Sequence, residues 1–430
     1  MLKYISAVHG MHDYMFPETI LWEYIENITK KILNNYGYQE IKIPIVEKNL
    51  LYHQTIGEDT DIVTKEMYNL YDKNGDMLTL RPEGTTGFIR AILEHNLLYK
   101  SHRLWYIGPM FRYERPQKGR YRQFHQIGIE AIGLTEPYID AEIIIITFHI
   151  WKNLNIIKYV NLEINTIGSI AIRKIYIQHL KKFFLKNIKL LDTNSIKKIN
   201  SNPLRILDSK NIATQQLLKQ APKLKNYLDA YSIDNFNILC DILNHIGIKF
   251  HINDNLVRGL DYYNDIVFEW TTINTPDILK YTICGGGRYN QLIQHMSHKR
   301  QNNGVGCAIG IERVLLLLKN LKIFNRFDAC HIDLYLIPMN NNHILHKILE
   351  IREKIIKVFP QIRILVSYFF VNIKKQIKKA IKQKAHCILI IGDNEISNNT
   401  ITIKDLISHK QICVSETQLI TILSKIMQQK

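Results

Sequence analysis

Helical spacing opens this chain and two-residue alternation follows. Ile20, Tyr24, Ile28 and Ile32 recur every four residues between Pro17 and Tyr36, which predicts an amphipathic helix with those side chains on one face and Gly37 closing it. EIKIPIVE, Glu40 to Glu47, predicts a strand, and Met77 to Leu80 predicts another, ended by Pro82 and Gly84. The longest alternation is LWYIGPMFRYERPQKGRYRQFHQIGIEAIG, Leu104 to Gly133. Successive side chains of a strand point to opposite faces, so Met110, Arg112 and Glu114 share one face while Phe111 and Tyr113 take the other. On the return strand Phe124, Gln126, Gly128 and Glu130 share a face, with His125, Ile127 and Ile129 behind. No βαβ repeat accompanies these strands, so the expected class is α+β, a mostly antiparallel sheet with helices.

The period changes twice more. From about residue 170 to 250 the chain is Lys- and Leu-rich and helical, with no acid–base cluster, and strand and glycine signals return at Asp254. Past Asn325, Ile332 to Pro338 reads as a buried strand and Ile344 to Phe359 as a helix. Ile362 to Ser367 reads as a strand, Lys374 to Lys384 as a basic helix, and Cys387 to Gly392 as an apolar strand, together a small three-layer α/β domain. The expected division is a core over 1–325, interrupted by a helical insertion over 168–253, and a final domain over 330–430.

The turn from Arg115 to Arg122 is basic and holds Pro116 and Gly119, which suits a mobile loop over anionic groups. A polar sheet floor beneath such a lid suits a nucleotide triphosphate, with Phe124 as a stacking face and Arg112 as a planar fork for a phosphate. A solvated sheet face is the competing reading of the same alternation.

Composition narrows the class. With 430 residues, 46% hydrophobic and 22% charged, the chain describes a globular protein of two or three domains. The formal net charge of +17 points to a polyanionic partner, nucleic acid first, although an Ile-, Lys- and Asn-rich bias adds lysines without function. Six scattered cysteines form no CxxC pair, which supports neither a zinc site nor a disulfide framework and fits reduced thiols in a cytosol. The N-terminus lacks the apolar core of a signal peptide, and the longest apolar run, Ile143 to Trp151, falls far short of the roughly 20 residues of a membrane helix. Cytoplasmic location without membrane association is expected.

FRYER followed by RQFHQIG resembles motif 2 of class II aminoacyl-tRNA synthetases in the form found in histidyl-tRNA synthetases. GVGCAIGIERVLLLL, Gly304 to Leu318, is similar to motif 3, and NNYGYQEIKIPIVE to motif 1. LVRGLDYY, Leu256 to Tyr263, and CGGGRYN, Cys284 to Asn290, resemble signatures of the histidine enzyme, and TLRPEGT, Thr79 to Thr85, completes the set. The resemblance covers nearly the whole chain in the expected order. It implies the class II fold, an insertion reaching toward the tRNA acceptor arm, and a C-terminal anticodon-binding domain. It also implies a homodimer built on motif 1.

Activating an amino acid joins two anions, so the site must supply fixed positive charge and orientation. The resemblance implies that Arg112 holds the α-phosphate and the reacting carboxylate, that Arg258 faces the α-phosphate from the other side, and that Arg313 holds the far end of the triphosphate. Glu114, Arg120 and Phe124 join Arg112 and Arg313 as the ATP set. For histidine it implies Glu83 and Thr85, with Gln126 assisting, at the ammonium, and Glu130 and Tyr263 at the imidazole, with Gly84, Arg112, Arg258 and Tyr262 around them. ATP is then a substrate, L-histidine and tRNA-His are partners, and Mg2+ is implied with no ligand assignable.

Two departures stand out. Asn290 occupies a position where an acidic residue is usual, and SYFFVNIKKQ, Ser367 to Gln376, replaces a glycine-rich turn. The competing functions are a catalytically inert synthetase-like regulatory subunit of ATP phosphoribosyltransferase and a basic RNA-binding protein. The first usually lacks the final domain and erodes the arginine motifs, and the second leaves the polar floor unexplained.

Overall fold

A computed structural model describes residues 4–57, 60–134, 136–209, 211–273, 280–297, 302–322, 332–339, 342–368 and 372–428. The chain forms two compact units, Met1–Leu321 and Lys322–Lys430. The expected boundary near Asn325, Cys330 and part of the SYFFVNIKKQ stretch lie outside the described residues.

The first helix runs Glu18–Asn35, as its period predicts, but its buried side chains are Leu21, Ile25, Thr29, Ile32 and Leu33. Ile20, Tyr24 and Ile28 flank that stripe, half-buried. Thr29 explains the shift of face. Its hydroxyl donates to the Ile25 carbonyl at 2.8 Å, so a polar residue enters the core with its donor satisfied.

EIKIPIVE gives two short strands rather than one, β1 (Gln39–Glu40) and β2 (Val46–Lys48). Pro44 lies between them, and lacking an N–H it cannot continue a ladder. The remaining strands of the first unit are β3 (Tyr68–Tyr71), β4 (Met77–Leu80), β5 (His102–Phe111), β6 (Gln123–Ile132), β7 (Val160–Thr166), β8 (Phe250–Ile252), β9 (Asn264–Thr272), β10 (Thr282–Arg288) and β11 (Gly304–Gly310). β2, β4 and β3 make a small antiparallel sheet. The other eight form the main sheet in the order β1-β5-β6-β11-β10-β9-β7-β8. It is antiparallel except for the two edge pairs, β1 with β5 and β7 with β8.

One face of this sheet is covered by helices. Tyr138–Asn153 buries Ile143, Ile144, Ile146, Ile150 and Trp151 completely, which accounts for the longest apolar run. Helices Ile170–Lys186, Thr193–Ser201 and Ile212–Leu218 form the helical region between β7 and β8. The next helix, Ala230–Ile246, packs on Tyr138–Asn153 and leads into β8, at the edge of the main sheet.

The second unit has five strands, β12 (Ile332–Pro338), β13 (Ile364–Val366), β14 (Ala385–Ile391), β15 (Thr400–Asp405) and β16 (Gln411–Ser415), in the order β13-β12-β14-β15-β16. Apolar clusters lie on both faces, one holding Leu334, Ile348 and Leu389 and the other Tyr335, Ala380 and Ile388, so the three-layer reading holds. No helix among the described residues is long and apolar enough to cross a membrane.

Candidate active site

The β5–β6 hairpin has the expected register. Phe124 faces Met110, Gln126 faces Gly108, Gly128 faces Tyr106 and Glu130 faces Leu104. On the other side of β6, Gln126 and Glu130 pair with Gly310 and Gly306 of β11. These glycines leave room for their neighbours. A Cβ on Gly306 would meet Glu130 Oε2, and one on Gly84 or Gly128 would enter the ring of Tyr106. Polar side chains thus lie flat in the sheet face, which becomes a floor.

Helix Thr85–Glu94 begins at the edge of that floor. Its first orphan N–H groups go to one carboxylate: Thr85 donates to Glu83 Oε2 at 2.7 Å and Thr86 to Glu83 Oε1 at 2.8 Å. The Tyr262 hydroxyl reaches Glu83 Oε2 at 3.4 Å. Glu130 receives three donors, from Thr85 at 2.8 Å, Tyr289 at 2.8 Å and Tyr106 at 3.2 Å. Burial, with a contribution from Glu83, nevertheless pushes its carboxyl up to about 8.

Four cations face the same space. Arg112 donates through Nε to the Pro82 carbonyl at 2.8 Å and lies over the Phe124 ring, 5.1 Å from its centroid. Arg120 and Arg112 stand 3.4 and 3.9 Å from the Glu114 carboxylate. Arg313 donates to Gly119 O at 2.9 Å and to Thr282 O at 2.6 Å, tying the basic loop to β10. Burial, then the charges of Arg120, Arg112 and Arg258, lower its guanidinium to about 10, as expected where cations collect around an anion site. Arg258 pairs with Glu269 and lies 5.7 Å from the centroid of the Tyr263 ring. The glycine run explains itself here: a Cβ on Gly285 would occupy the Arg258 guanidinium.

One pocket of about 190 Å³ gathers Glu83, Gly84, Thr85, Arg112, Glu114, Arg120, Phe124, Gln126, Arg258, Tyr262, Tyr263 and Arg313. Glu130 is the exception. It lies beneath the floor, 1% exposed, and communicates with the pocket through Thr85 and Tyr106. Two buried polar atoms lining the pocket, Gln126 Oε1 and Arg258 Nε, have no protein partner. One is an acceptor and the other a donor, so the pocket holds unmet demand for a hydrogen-bond donor and for an acceptor. Burial raises the Tyr263 phenol to about 12, so it stays neutral.

Motif reading gives no role to Tyr106, Glu269 and Glu312, and Tyr289 enters it only within CGGGRYN. Tyr106 carries a usable signal, since two-residue alternation runs from Met110 through Gly108 to it. Glu312 lines the pocket and anchors β6, accepting from the backbone N–H of His125 at 2.9 Å on both oxygens. Asn290 keeps a role without charge. Its Oδ1 accepts from Gly304 N–H at 2.8 Å, while the adjacent Arg288 pairs with Asp140 and Glu136.

For a magnesium ion the pocket offers little preformed. Glu269 is engaged by Arg258 and Thr282, and Glu312 by His125, leaving Glu114 as the carboxylate with the longest contacts. That fits an ion which arrives on nucleotide phosphates and takes one protein carboxylate. Among the described residues, the one cluster of three metal-ligating side chains is His386, Cys387 and Asp405 in the second unit.

A family model described as histidyl-tRNA synthetase matches residues 10–314, and one described as anticodon binding domain matches 333–426. The chain is 46% identical over 427 residues to the histidine–tRNA ligase of Buchnera aphidicola subsp. Schizaphis graminum, covering 99% of both chains. It is 48% identical over 418 residues to that of Blochmanniella pennsylvanica, covering 96% of this chain and 94% of the other. Apo histidyl-tRNA synthetase of S. aureus superposes with a TM-score of 0.79 at 31% identity, over 98% of this chain and 100% of that one. An ATP phosphoribosyltransferase regulatory subunit/histidyl-tRNA synthetase from Bacillus halodurans gives 0.64 at 18% identity, over 91% of this chain and 99% of that one, a likeness of fold alone. These matches place the chain among the aminoacyl-tRNA synthetases, which are ligases. Within that class it belongs to the histidyl-tRNA synthetase family. The inert regulatory reading is not favoured.

Proposed function

We propose that the protein activates L-histidine with ATP and passes the histidyl group to tRNA-His. A carboxylate oxygen of histidine attacks the α-phosphorus, the bond to the bridging oxygen breaks, and pyrophosphate leaves from histidyl-adenylate. The 3′ end of tRNA then takes the acyl group and releases AMP. The observation that carries this reading is the convergence of Arg112, Arg258 and Arg313 on one pocket whose floor presents Glu83, Thr85 and Gln126.

The reaction needs cations that do not lose charge and donors already in place. Arg112 and Arg258 lie on opposite sides of the α-phosphate, Arg313 and Arg120 take the outer phosphates, and Phe124 stacks on adenine. Arg313 exchanges its carbonyl partners for phosphate oxygens. Glu83 and the unpaired Gln126 Oε1 accept from the ammonium, Tyr263 serves a ring nitrogen, and Glu130, beneath the floor, acts through Thr85 and Tyr106, with Tyr262 and Gly84 lining the approach. Glu114 would hold a magnesium ion arriving with ATP, which would supply neutralisation of phosphate charge. The basic final domain reads the anticodon, the active form is a homodimer through the motif 1 region, and the enzyme works in the cytoplasm.

The test is ATP–pyrophosphate exchange with each amino acid in turn. Exchange dependent on histidine supports the reading, and its absence from folded protein overturns it.

A further inference from the structure

Residues 258–263 carry three walls of the pocket, Arg258, Tyr262 and Tyr263, yet form neither helix nor strand. Among the described residues, 257–263 make no backbone–backbone hydrogen bond. The last before them is Leu256 N–H to Asn253 O at 2.9 Å, and pairing resumes at Asn264 in β9. A segment without a ladder is located by side chains.

Those side chains come from the helical region between β7 and β8. Arg205, in the turn Pro203–Ile206, donates through Nη2 to the Gly259 carbonyl. Arg173, in helix Ile170–Lys186, donates through Nη1 to the Tyr263 carbonyl and through Nη2 to Gln291 Oε1 at 3.3 Å. Asn202 adds a bond from Nδ2 to Asp261 Oδ1 at 3.0 Å, and Arg205 lies 3.9 Å from the same oxygen. On its opposite side Asp261 fills the space where a Cβ of Gly57 would stand. The segment is therefore gripped at both ends and in the middle. Neither Arg173 nor Arg205 lines the pocket itself.

We propose that the helical region is a clamp for amino-acid activation, with Arg205 positioning Arg258 and Arg173 positioning Tyr263. Adenylate formation then depends on this region before any tRNA is present. The proposal rests on the function given above. A guanidinium bonded to a carbonyl is a charge-assisted contact of fixed direction, and small displacements of an oriented group are felt strongly in rate.

The clamp requires a split between two variants, read by histidine-dependent pyrophosphate exchange without tRNA. Arg205→Ala lowers kcat about tenfold with little change in KM for histidine, because it loosens the activating arginine. Arg173→Ala raises KM for histidine about tenfold with a smaller change in kcat, because it loosens the ring-binding phenol. KM for ATP moves little in either, and Arg205→Lys, which keeps one donor for one carbonyl, recovers most of kcat. Asn202→Ala shifts kcat in the same direction by less, and stands in if an arginine variant does not fold. Chymotryptic cleavage at Leu260, Tyr262 and Tyr263 in substrate-free protein should quicken in each variant. Unchanged cleavage there, or parallel losses in kcat and both KM values, overturns the clamp. A wild-type protein with no histidine-dependent activity overturns the functional reading instead, and the cleavage rates then decide the clamp alone.

Discussion

The Thr85 hydroxyl donates to Glu130 Oε1 at 2.8 Å, joining the start of a helix to a carboxyl buried in the sheet. Its own N–H is held by Glu83 at 2.7 Å, so Thr85 links both carboxylates of the floor. Three hydroxyl donors favour an ionised Glu130, while complete burial and the charge of Glu83 oppose it more strongly.

That balance predicts a pH effect on stability. The folded carboxyl titrates near 8 against an ordinary value of 4.5. Below 4.5 both states hold the proton and this contribution to stability is complete. Between 4.5 and 8 the unfolded chain releases a proton that the folded chain keeps, so stability falls as pH rises through that window. Glu130→Gln removes the titration. Urea midpoints from pH 4.5 to 8 should fall more steeply for wild type than for the variant and converge at the acid end. Parallel slopes would show that Glu130 is ionised when folded.

Tyr263→Phe deletes one phenol and leaves the ring. Loss of one buried hydrogen bond to a polar ligand costs about 1–3 kcal/mol. The expected result is a fall of that size in kcat/KM for histidine, with KM for ATP unchanged. Steady-state exchange at varied histidine and varied ATP separates the two, and equal losses would remove Tyr263 from the histidine pocket.

What the sequence made legible was local. The hairpin alternation put Phe124, Gln126, Gly128 and Glu130 on one face, and the structure agrees because a strand's period is rigid. Tyr106 was illegible by motif because the room for its ring comes from Gly84 and Gly128, in two separate elements. The depth of Glu130 was also beyond alternation, which gives the face but not the layer. Arg173 and Arg205 lie in a stretch that reads as helical decoration, and their carbonyl partners are 90 and 54 residues away. The first helix erred by one stripe because Thr29 hides its hydroxyl against Ile25, which residue type alone does not reveal.

Two adjacent glycines should separate activity from stability. In Gly285→Ala the new methyl meets the Arg258 guanidinium, the end of a flexible side chain. That variant should fold normally and lose exchange activity. In Gly286→Ala the methyl meets the Gly306 carbonyl and Cys307, and backbone cannot swing aside. Overpacking of this kind costs about 1–3 kcal/mol, visible as a lower denaturation midpoint. The reverse pattern would detach the glycine run from Arg258.

Arg258 gives the most specific expectation. It is a permanent cation with an unpartnered Nε in the pocket wall, and in the proposed reaction it meets the negative charge that develops on the α-phosphate. Removing one preorganised donor from such a site slows chemistry by about 10²–10³-fold. Arg258→Ala should therefore abolish most pyrophosphate exchange. Folding should survive, because the Glu269 carboxylate left behind is 18% exposed and still accepts from Thr282 Oγ1 at 2.8 Å. Arg258→Lys should recover little, since a point charge on a flexible stem cannot reproduce a planar fork. Transfer of histidine from preformed adenylate to tRNA should suffer far less, because the pentacovalent charge at phosphorus arises only in the first step. Single-turnover measurements of the two steps, beside a thermal melt, decide the matter. Equal slowing of both steps, or an unfolded variant, would make Arg258 a structural residue rather than the group that serves activation.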